Sequence, residues 1–309
     1  MALPIANDAP ATYRTSAVRP GPATLIAEAI RELASRRRLI AYLVRADVRR
    51  KGTDTLLGNL WWALDPLIAM AVYVFVMGVI FQRSVPDFPV YILAAVVPFK
   101  WFTQSIGGST GAVARNERLI KQIQFPKLVL PIADALAEAV AFAFGIALLI
   151  GLTAIWAGGA HLSVMILWIP VIAVIQLLLQ LGISLVVSAI TVFYRDVGIV
   201  TGHFLRMLFF VSPILWSCED AVGRGAGIKA ALGPTGFWIL EHNPVAILLA
   251  SYRRVIYGQV HHTGDVVSWT PPVAPDLGLL ALLLVIALVL LVFGTWFFKR
   301  LEPAFAKVL

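Results

Sequence analysis

Four charged side chains within apolar stretches are the candidates for a chemical role in this sequence. Asp134 and Glu138 lie four residues apart in one apolar run, which places both carboxyl groups on one helical face. Lys100 and Arg206 lie in two other apolar runs. Intramembrane carboxylates could relay protons in a secondary transporter, or they could pair with such cations and serve structure alone.

The depth of these charges can be counted along each helix at about 1.5 Å per residue. The count places Lys100, Glu138 and Arg206 in one layer near mid-membrane. We therefore expect one of the two cations to pair with Asp134 or Glu138, because an isolated charge there would cost roughly 3 kcal/mol or more. A cation left over would be available to an anionic ligand.

No catalytic or metal-binding signature accompanies these charges in the sequence. The pair His261 and His262 lies in a loop and is expected to be solvated, and the other histidines, His161, His203 and His242, show no metal-ligand spacing. The sequence contains neither a nucleophile elbow nor a G-x-x-x-x-G-K-[ST] phosphate loop. It therefore predicts a chain that is not an enzyme and has no metal or cofactor of its own.

The four charges lie in segments that are predicted to form membrane-spanning helices. Hydrophobic residues make up 60% of the 309 residues and charged residues only 14%, which is more apolar side chain than a soluble fold can bury. Crossing a hydrocarbon core takes about 20 helical residues, whereas barrel strands would be about half as long. The predicted class is an all-α polytopic membrane protein with six spans, at 59–82, 88–111, 128–157, 163–193, 198–217 and 276–298.

The distribution of Lys and Arg predicts the orientation. Eighteen of the 25 cations flank one side of the six predicted spans, and five flank the other. The positive-inside rule then places both termini in the cytoplasm, and the first 24 residues contain no apolar core of signal-peptide type. Nucleic-acid binding is disfavoured because the cations flank spans instead of forming one basic patch.

A second amphipathic element precedes the first span, at roughly 24–50. Leu25, Ala29 and Leu33 recur on one face, and arginines occupy another, so an interfacial helix is expected within a cytoplasmic N-terminal extension, residues 1–58. Its cations could serve as a positive-inside anchor, bind anionic lipid head groups, or both. The head-group candidates are Arg38, Arg45, Arg49, Arg50 and Lys51.

Two further segments interrupt the apolar pattern. In "NERLIKQIQFPKLVLP" (116–131), Leu119, Ile120 and Ile123 share one helical face, which predicts a short amphipathic helix that touches something outside the membrane. The last outer loop contains an apolar run, 244–257, that is too short to span. We expect it to form a re-entrant or surface-lying helix that begins at Asn243-Pro244 and stops at Gly258.

Several stretches together resemble the transmembrane subunits of ABC-2 type polysaccharide exporters, the O-antigen and teichoic-acid permeases. They are "LVRADVRRKGTDTLLGNLWWALDPLIAMAVYVFVMGVIF" (43–81), "NERLIKQIQFPKLVLPIA" (116–133), "YRDVGIVTGHFLRMLFFVSPILW" (194–216), "NPVAILLASYRRVIYG" (243–258) and the tail "FKRLEPAFAKVL". The resemblance covers nearly the whole chain from about residue 40. It implies an ABC-2 type transmembrane domain over residues 59–309.

The family resemblance also implies partners. The segment between spans two and three would be a coupling helix that docks on a cytoplasmic ATPase, which would hold ATP and Mg²⁺. A homodimer of permeases with two ATPase copies would export a lipid-linked polysaccharide across the cytoplasmic (inner) membrane, in contact with membrane lipids. The coupling residues would be Asn116, Glu117, Arg118, Leu119, Ile120, Lys121, Ile123 and Phe125.

Aromatic residues suggest the transport path, and the family's aromatic-lined conduit supports this interpretation. An interfacial aromatic belt and core packing are the alternative, and should claim at least half of them. The channel candidates are Trp61, Trp62, Tyr73, Phe75, Trp101, Phe102, Phe209, Phe210 and Trp216. The candidates for an outer gate are Asn243, Pro244, Tyr252 and Tyr257.

Two alternatives to glycan export stay open from the sequence. One is an ABC-2 permease of the same fold that moves a drug or another lipid. The other is a proton-coupled transporter or membrane-embedded enzyme, which the pair Asp134 and Glu138 would serve.

Overall fold

The computed structural model describes residues 21–53, 55–80, 86–122, 125–156, 161–216, 226–263 and 266–308. Within these ranges most residues are helical. In chain order the helices are α1 (Pro22–Ser35), α2 (Arg37–Gly52), α3 (Trp61–Val74, continued by a π-helical segment, Phe75–Ile80), α4 (Phe88–Thr110), α5 (Ala112–Arg115), α6 (Glu117–Gln122), α7 (Val129–Trp156), α8 (Ile169–Phe193), α9 (Asp196–Val211), α10 (Ala226–Glu241, kinked at Gly233), α11 (Pro244–Ile256) and α12 (Leu277–Val308).

The predicted all-α polytopic class is confirmed. Within the described ranges, four helical stretches are long and apolar enough to cross a membrane: Trp61–Ile80, Val129–Ile155, Val164–Phe193 and Leu277–Phe305. The other two predicted spans also form helices, but α4 is mostly buried by its neighbours and α9 has only 16 residues. The number of spans, six, therefore stays a prediction.

Helix α4 lies at the centre of the bundle. It packs against α3, α7, α8, α9 and α11, and every residue from 90 to 99 is buried. Because such a helix meets protein on all sides, its sequence is apolar without a clear polar face. Towards its C-terminal end the helix exposes Gln104 and Gly107 and leads directly into α5 and α6.

The most extensive helix–helix contact joins α8 to α12. Two glycines make this close approach possible. A Cβ at Gly182 would lie 2.6 Å from the carbonyl carbon of Leu290, and a Cβ at Gly294 would lie 2.5 Å from the carbonyl oxygen of Gly182. The two backbones therefore touch, as helices in membranes do where small residues face each other.

The predicted N-terminal amphipathic element is present as two helices, with the break at Arg36. Both pack on the bundle: α1 lies against α12, where Lys299 Nζ is 2.7 Å from Glu32 Oε2, and α2 lies against α7. Ala29 is fully buried, as its place on the apolar face predicts. The domain boundary near residue 58 stays a prediction, and residues 1–20 lie outside the described ranges.

The apolar run in the last outer loop forms α11, whose ends lie where the sequence predicts them. The Asn243 side chain accepts a hydrogen bond from the Val245 amide at 3.0 Å, and Pro244 begins the helix. Ten of its thirteen residues are buried against the bundle, so α11 does not lie on the surface, and of the two predicted placements this one favours a re-entrant helix.

A small hairpin that the sequence analysis did not predict follows α11. Strand β1 (Gln259–Thr263) pairs antiparallel with β2 (Val266–Thr270). Gly258 connects α11 to β1 with φ +104°, and a Cβ there would lie 2.1 Å from the carbonyl oxygen of Thr270. Only glycine fits this turn without strain.

Candidate functional site

A cavity of about 150 Å³ lies between α2, α3, α4 and α7. Five polar side chains contribute to its lining: Lys51, Asp65, Lys100, Gln104 and Glu138. Three of the predicted channel aromatics, Trp61, Trp62 and Trp101, also line it. The cavity thus combines charge, an amide and indole rings, which is the composition of a site that binds a small polar molecule.

The charges of the cavity form two ion pairs. Lys51 Nζ lies 2.5 Å from Glu138 Oε1 and 3.3 Å from Asp47 Oδ2, so the end of α2 is fixed to α7. Lys100 donates to Asp65 of α3. Each cation therefore has a carboxylate partner from another element of the fold.

Neither Lys100 nor Arg206 forms an ion pair with Asp134 or Glu138 among the described residues, although the charges of Lys100 and Glu138 interact. Glu138 pairs with Lys51, and Asp134 Oδ2 lies 2.6 Å from Nη2 of Arg115. Depth along each helix pairs charges of different spans but takes no account of neighbours from other elements. In the structure the partners come from α2 and α5, which pack on the first turns of α7.

Asp65 is the site residue that the sequence analysis missed. The sequence does indicate Asp65 as a functional candidate, because it is a carboxylate four residues after Trp61 in a run of otherwise apolar side chains. Its side chain is 58% exposed. Such an exposed carboxylate within a spanning helix marks a surface that faces something other than lipid.

The Lys51–Glu138 pair gives a first prediction. Lys51→Glu should lower the free energy of unfolding by about 2 kcal/mol, because it places a third carboxylate beside Glu138 and Asp47 in a half-buried setting. The double variant Lys51→Glu/Glu138→Lys should regain most of that loss. Thermal unfolding of the purified protein in detergent measures both.

A matched control for this experiment is Arg45→Glu on the same helix. Arg45 is exposed and makes no ion pair with any residue in the described ranges, so its reversal should change the free energy of unfolding by less than about 0.5 kcal/mol. A double variant that unfolds at the same temperature as Lys51→Glu would show that the pair does not hold α2 to α7.

Three helices carry polar side chains that are not buried, and we call this set the polar strip. It consists of the exposed Asp65 on α3, the partly buried Lys100 and the exposed Gln104 on α4, and the exposed His203 and Arg206 on α9. Helices α3 and α9 both pack on α4. Arg206 is exposed and makes no ion pair with the residues that the structure describes, so it does not join the predicted layer of paired charges.

The remaining channel aromatics divide between packed and exposed positions. Phe102 is buried, and Tyr73 stacks on Phe209 with ring centroids 5.4 Å apart. The carbonyl of the partly buried Trp216 accepts a hydrogen bond from Arg253. Phe75 and Phe210 are exposed by 57% and 73%. Which of these rings line a path stays a prediction.

The predicted coupling segment forms the short helix α6. Lys121 Nζ donates to Glu117 Oε1 at 2.5 Å, and this hydrogen bond, with the lysine charge, lowers the pKa of the Glu117 carboxyl. Ile120 packs partly on the chain's own apolar cluster around Val113, whereas Arg118 is exposed. The remaining predicted residues are Asn116, Leu119 and Phe125, which are partly buried, and Ile123, which lies outside the described residues.

The head-group candidates on α2 do not share one environment. Arg38, Arg45 and Arg49 are exposed. Arg50 Nη2 lies 2.5 Å from Asp47 Oδ1, and Lys51 is held by Glu138. Arg50 is also exposed, so Arg38, Arg45 and Arg49 are the exposed arginines of this set that make no ion pair with the described residues, and their charge is accessible to lipid.

The gate candidates lie along α11 and do not form one cluster. Tyr252 and Tyr257 are fully buried, and Asn243 and Pro244 form the start of α11. The carbonyl of Tyr257 lies 2.9 Å from Nδ1 of the buried His161. His161 is thus a packed core residue, and no group of residues suited to a metal ion occurs in the described ranges.

No protein-family model matches the chain. Individual proteins do match it. The O-antigen export system permease protein RfbA of Myxococcus xanthus is 28% identical over 228 residues, which cover 74% of this chain and 84% of that protein. A protein of the same name from Klebsiella pneumoniae is 23% identical over 88% of this chain and 95% of its own length.

A third relative is the polysialic acid transport protein KpsM of Escherichia coli, which is 25% identical over 55% of this chain. All three names describe transport or permease proteins, and none describes an enzyme. The predicted resemblance to polysaccharide-export permeases is therefore confirmed by homologues that match most of the chain.

Proposed function

We propose that this chain is the transmembrane subunit of an ABC transporter that exports a lipid-linked polysaccharide across the cytoplasmic membrane. Homologues named for O-antigen export and polysialic acid transport support the substrate class. The polar strip on α3, α4 and α9 is the structural observation that carries the proposal, because a polymer rich in hydroxyl groups needs a wet path through the membrane.

The polar strip also supports a homodimer. Asp65 and Arg206 would each cost roughly 3 kcal/mol or more if they faced hydrocarbon. On α9, Arg206 shares one face with Ile199, His203 and Phe210, all of them exposed. A second copy related by a twofold axis would turn its own strip toward this one, and the two strips would enclose a water-filled conduit.

The energy source is proposed to be a separate ATPase, two copies per dimer. The sequence has no phosphate-binding loop, so ATP and Mg²⁺ would bind to the partner. Helix α6 is the proposed contact, because it lies at one end of the bundle and exposes Arg118. Helices α5 and α6 connect α4 to α7 in the chain, so a conformational change at α6 would reach both α4 and α7.

The orientation follows from the same assignment. Helices α2 and α6 and the end of α12 present arginines and lysines, and the positive-inside rule places cationic ends in the cytoplasm. Both termini would then be cytoplasmic, and α11 with the hairpin would lie on the outer side. We place this multi-pass protein in the inner membrane.

Transport by the purified complex tests this proposal. The permease and its ATPase, reconstituted in vesicles with lipid-linked glycan from the producing cells, should move the glycan across the bilayer only with hydrolysable ATP. A non-hydrolysable ATP analogue is the control. Glycan movement driven by a proton gradient without the ATPase, or efflux of a drug while the glycan stays in place, would replace the proposal with the corresponding alternative.

A further inference from the structure

We propose that the cavity between α2, α3, α4 and α7 is a subsite for one uncharged sugar ring of the glycan, beside the conduit. This inference rests on the proposed function and specifies which part of the substrate the cavity takes. The residues used in the argument are Lys51, Trp62, Asp65, Lys100, Gln104 and Glu138.

The charge balance of the cavity favours a neutral occupant. Lys51 is neutralised by Glu138 and Asp47, and Lys100 is neutralised by Asp65. A phosphate or pyrophosphate would have to take a lysine from its carboxylate, and would leave that carboxylate unpaired next to a new anion. Sugar hydroxyl groups avoid this conflict, because they can donate to the carboxylates and accept from the ammonium groups at the same time.

The lining also supplies groups that an uncharged sugar would use. Gln104 is exposed and its amide makes no hydrogen bond with the described residues, so both its donor and its acceptor are available. Trp62 adds an indole ring whose apolar face suits the C–H groups of a pyranose.

The size of the cavity limits the occupant to one ring. Its volume of about 150 Å³ is below the roughly 300–1,000 Å³ of pockets that hold drug-sized ligands. Asp65, Lys100 and Gln104 belong both to the cavity and to the polar strip. One sugar can therefore lie in the cavity while its neighbours in the polymer continue along the strip.

Binding of simple sugars to the intact complex tests this inference. The probes are methyl hexopyranosides and inorganic pyrophosphate, added to the full-length permease with its ATPase in lipid nanodiscs, with saturation-transfer NMR as the readout. At least one methyl hexopyranoside should bind at millimolar concentration, and pyrophosphate should not compete with it. Trp62→Leu and Gln104→Leu should each weaken this binding at least fivefold.

Thr103→Val is the matched control on the same helix, because the Thr103 hydroxyl bonds only to backbone carbonyls of α4 and does not line the cavity. The inference is overturned if no methyl hexopyranoside binds up to 50 mM, or if pyrophosphate displaces the sugar. Glycan transport by the wild-type complex is measured in parallel, so that a failed subsite with intact transport is distinguished from a failure of the proposed function.

Discussion

Gly182→Ala should lower the free energy of unfolding by about 2–3 kcal/mol, although it adds only one methyl group. The added Cβ would lie 2.6 Å from the carbonyl carbon of Leu290 and 2.7 Å from the amide nitrogen of Leu291. Both are backbone atoms, so no side-chain rotation can relieve the contact. Helices α8 and α12 would have to move apart along the largest interface of the bundle.

Gly151→Ala on α7 is the matched control. Gly151 is also a glycine within a spanning helix, but a Cβ there has no neighbour within 4 Å. Alanine forms helices better than glycine by up to about 1 kcal/mol, so this variant should be neutral or slightly stabilising. Thermal unfolding in detergent compares the two, and equal unfolding temperatures would contradict the backbone contact between α8 and α12.

The close approach of α8 and α12 shows what the sequence could not predict. Hydrophobic runs predict where helices lie, and all six runs contain a helix. Local signals also predicted the ends of α11, because Asn243, Pro244 and Gly258 act on their immediate neighbours. Which glycines face each other across two helices depends on the packing of segments more than 100 residues apart, which periodicity does not report.

The charged site was predicted in part for the same reason. Lys100 and Glu138 were selected because charges are rare in apolar runs, and both line the cavity. Their partners were not predicted, because Lys51 reaches Glu138 across 87 positions of sequence through the packing of α2 on α7. The hairpin was missed because each strand has only five residues, too few for a clear alternation of polar and apolar side chains.

The double variant Arg118→Glu/Lys121→Glu should release the ATPase from the permease. Under the proposed function α6 is the contact, and Arg118 is its exposed cation without an ion pair in the described part of the chain. Reversing both charges would place them against the acidic partner surface that such a contact requires, and like charges across an interface cost several kcal/mol. Co-purified ATPase and ATP hydrolysis should both fall at least tenfold.

Within α6, the exposed charged residues are better targets for this test than the partly buried Ile120. Ile120 packs partly on the chain's own cluster with Val113 and Leu128, so Ile120→Asp would damage the permease as well as any interface. The Glu117–Lys121 pair is exposed at both ends, so its loss should affect the fold of the permease little. Loss of the ATPase from the double variant would therefore reflect the contact itself.

A charge-matched control distinguishes a specific contact between α6 and the ATPase from a general attraction of the ATPase to the end of the bundle that carries most arginines and lysines. Arg36→Glu reverses an exposed cation between α1 and α2, away from α6 in sequence. This variant should retain the ATPase at the wild-type level, and the α6 variant should still elute at the size of the wild-type permease without its partner. If the α6 variant keeps its ATPase at full activity, α6 is not the coupling helix, and the contact must lie on another part of the same end of the bundle.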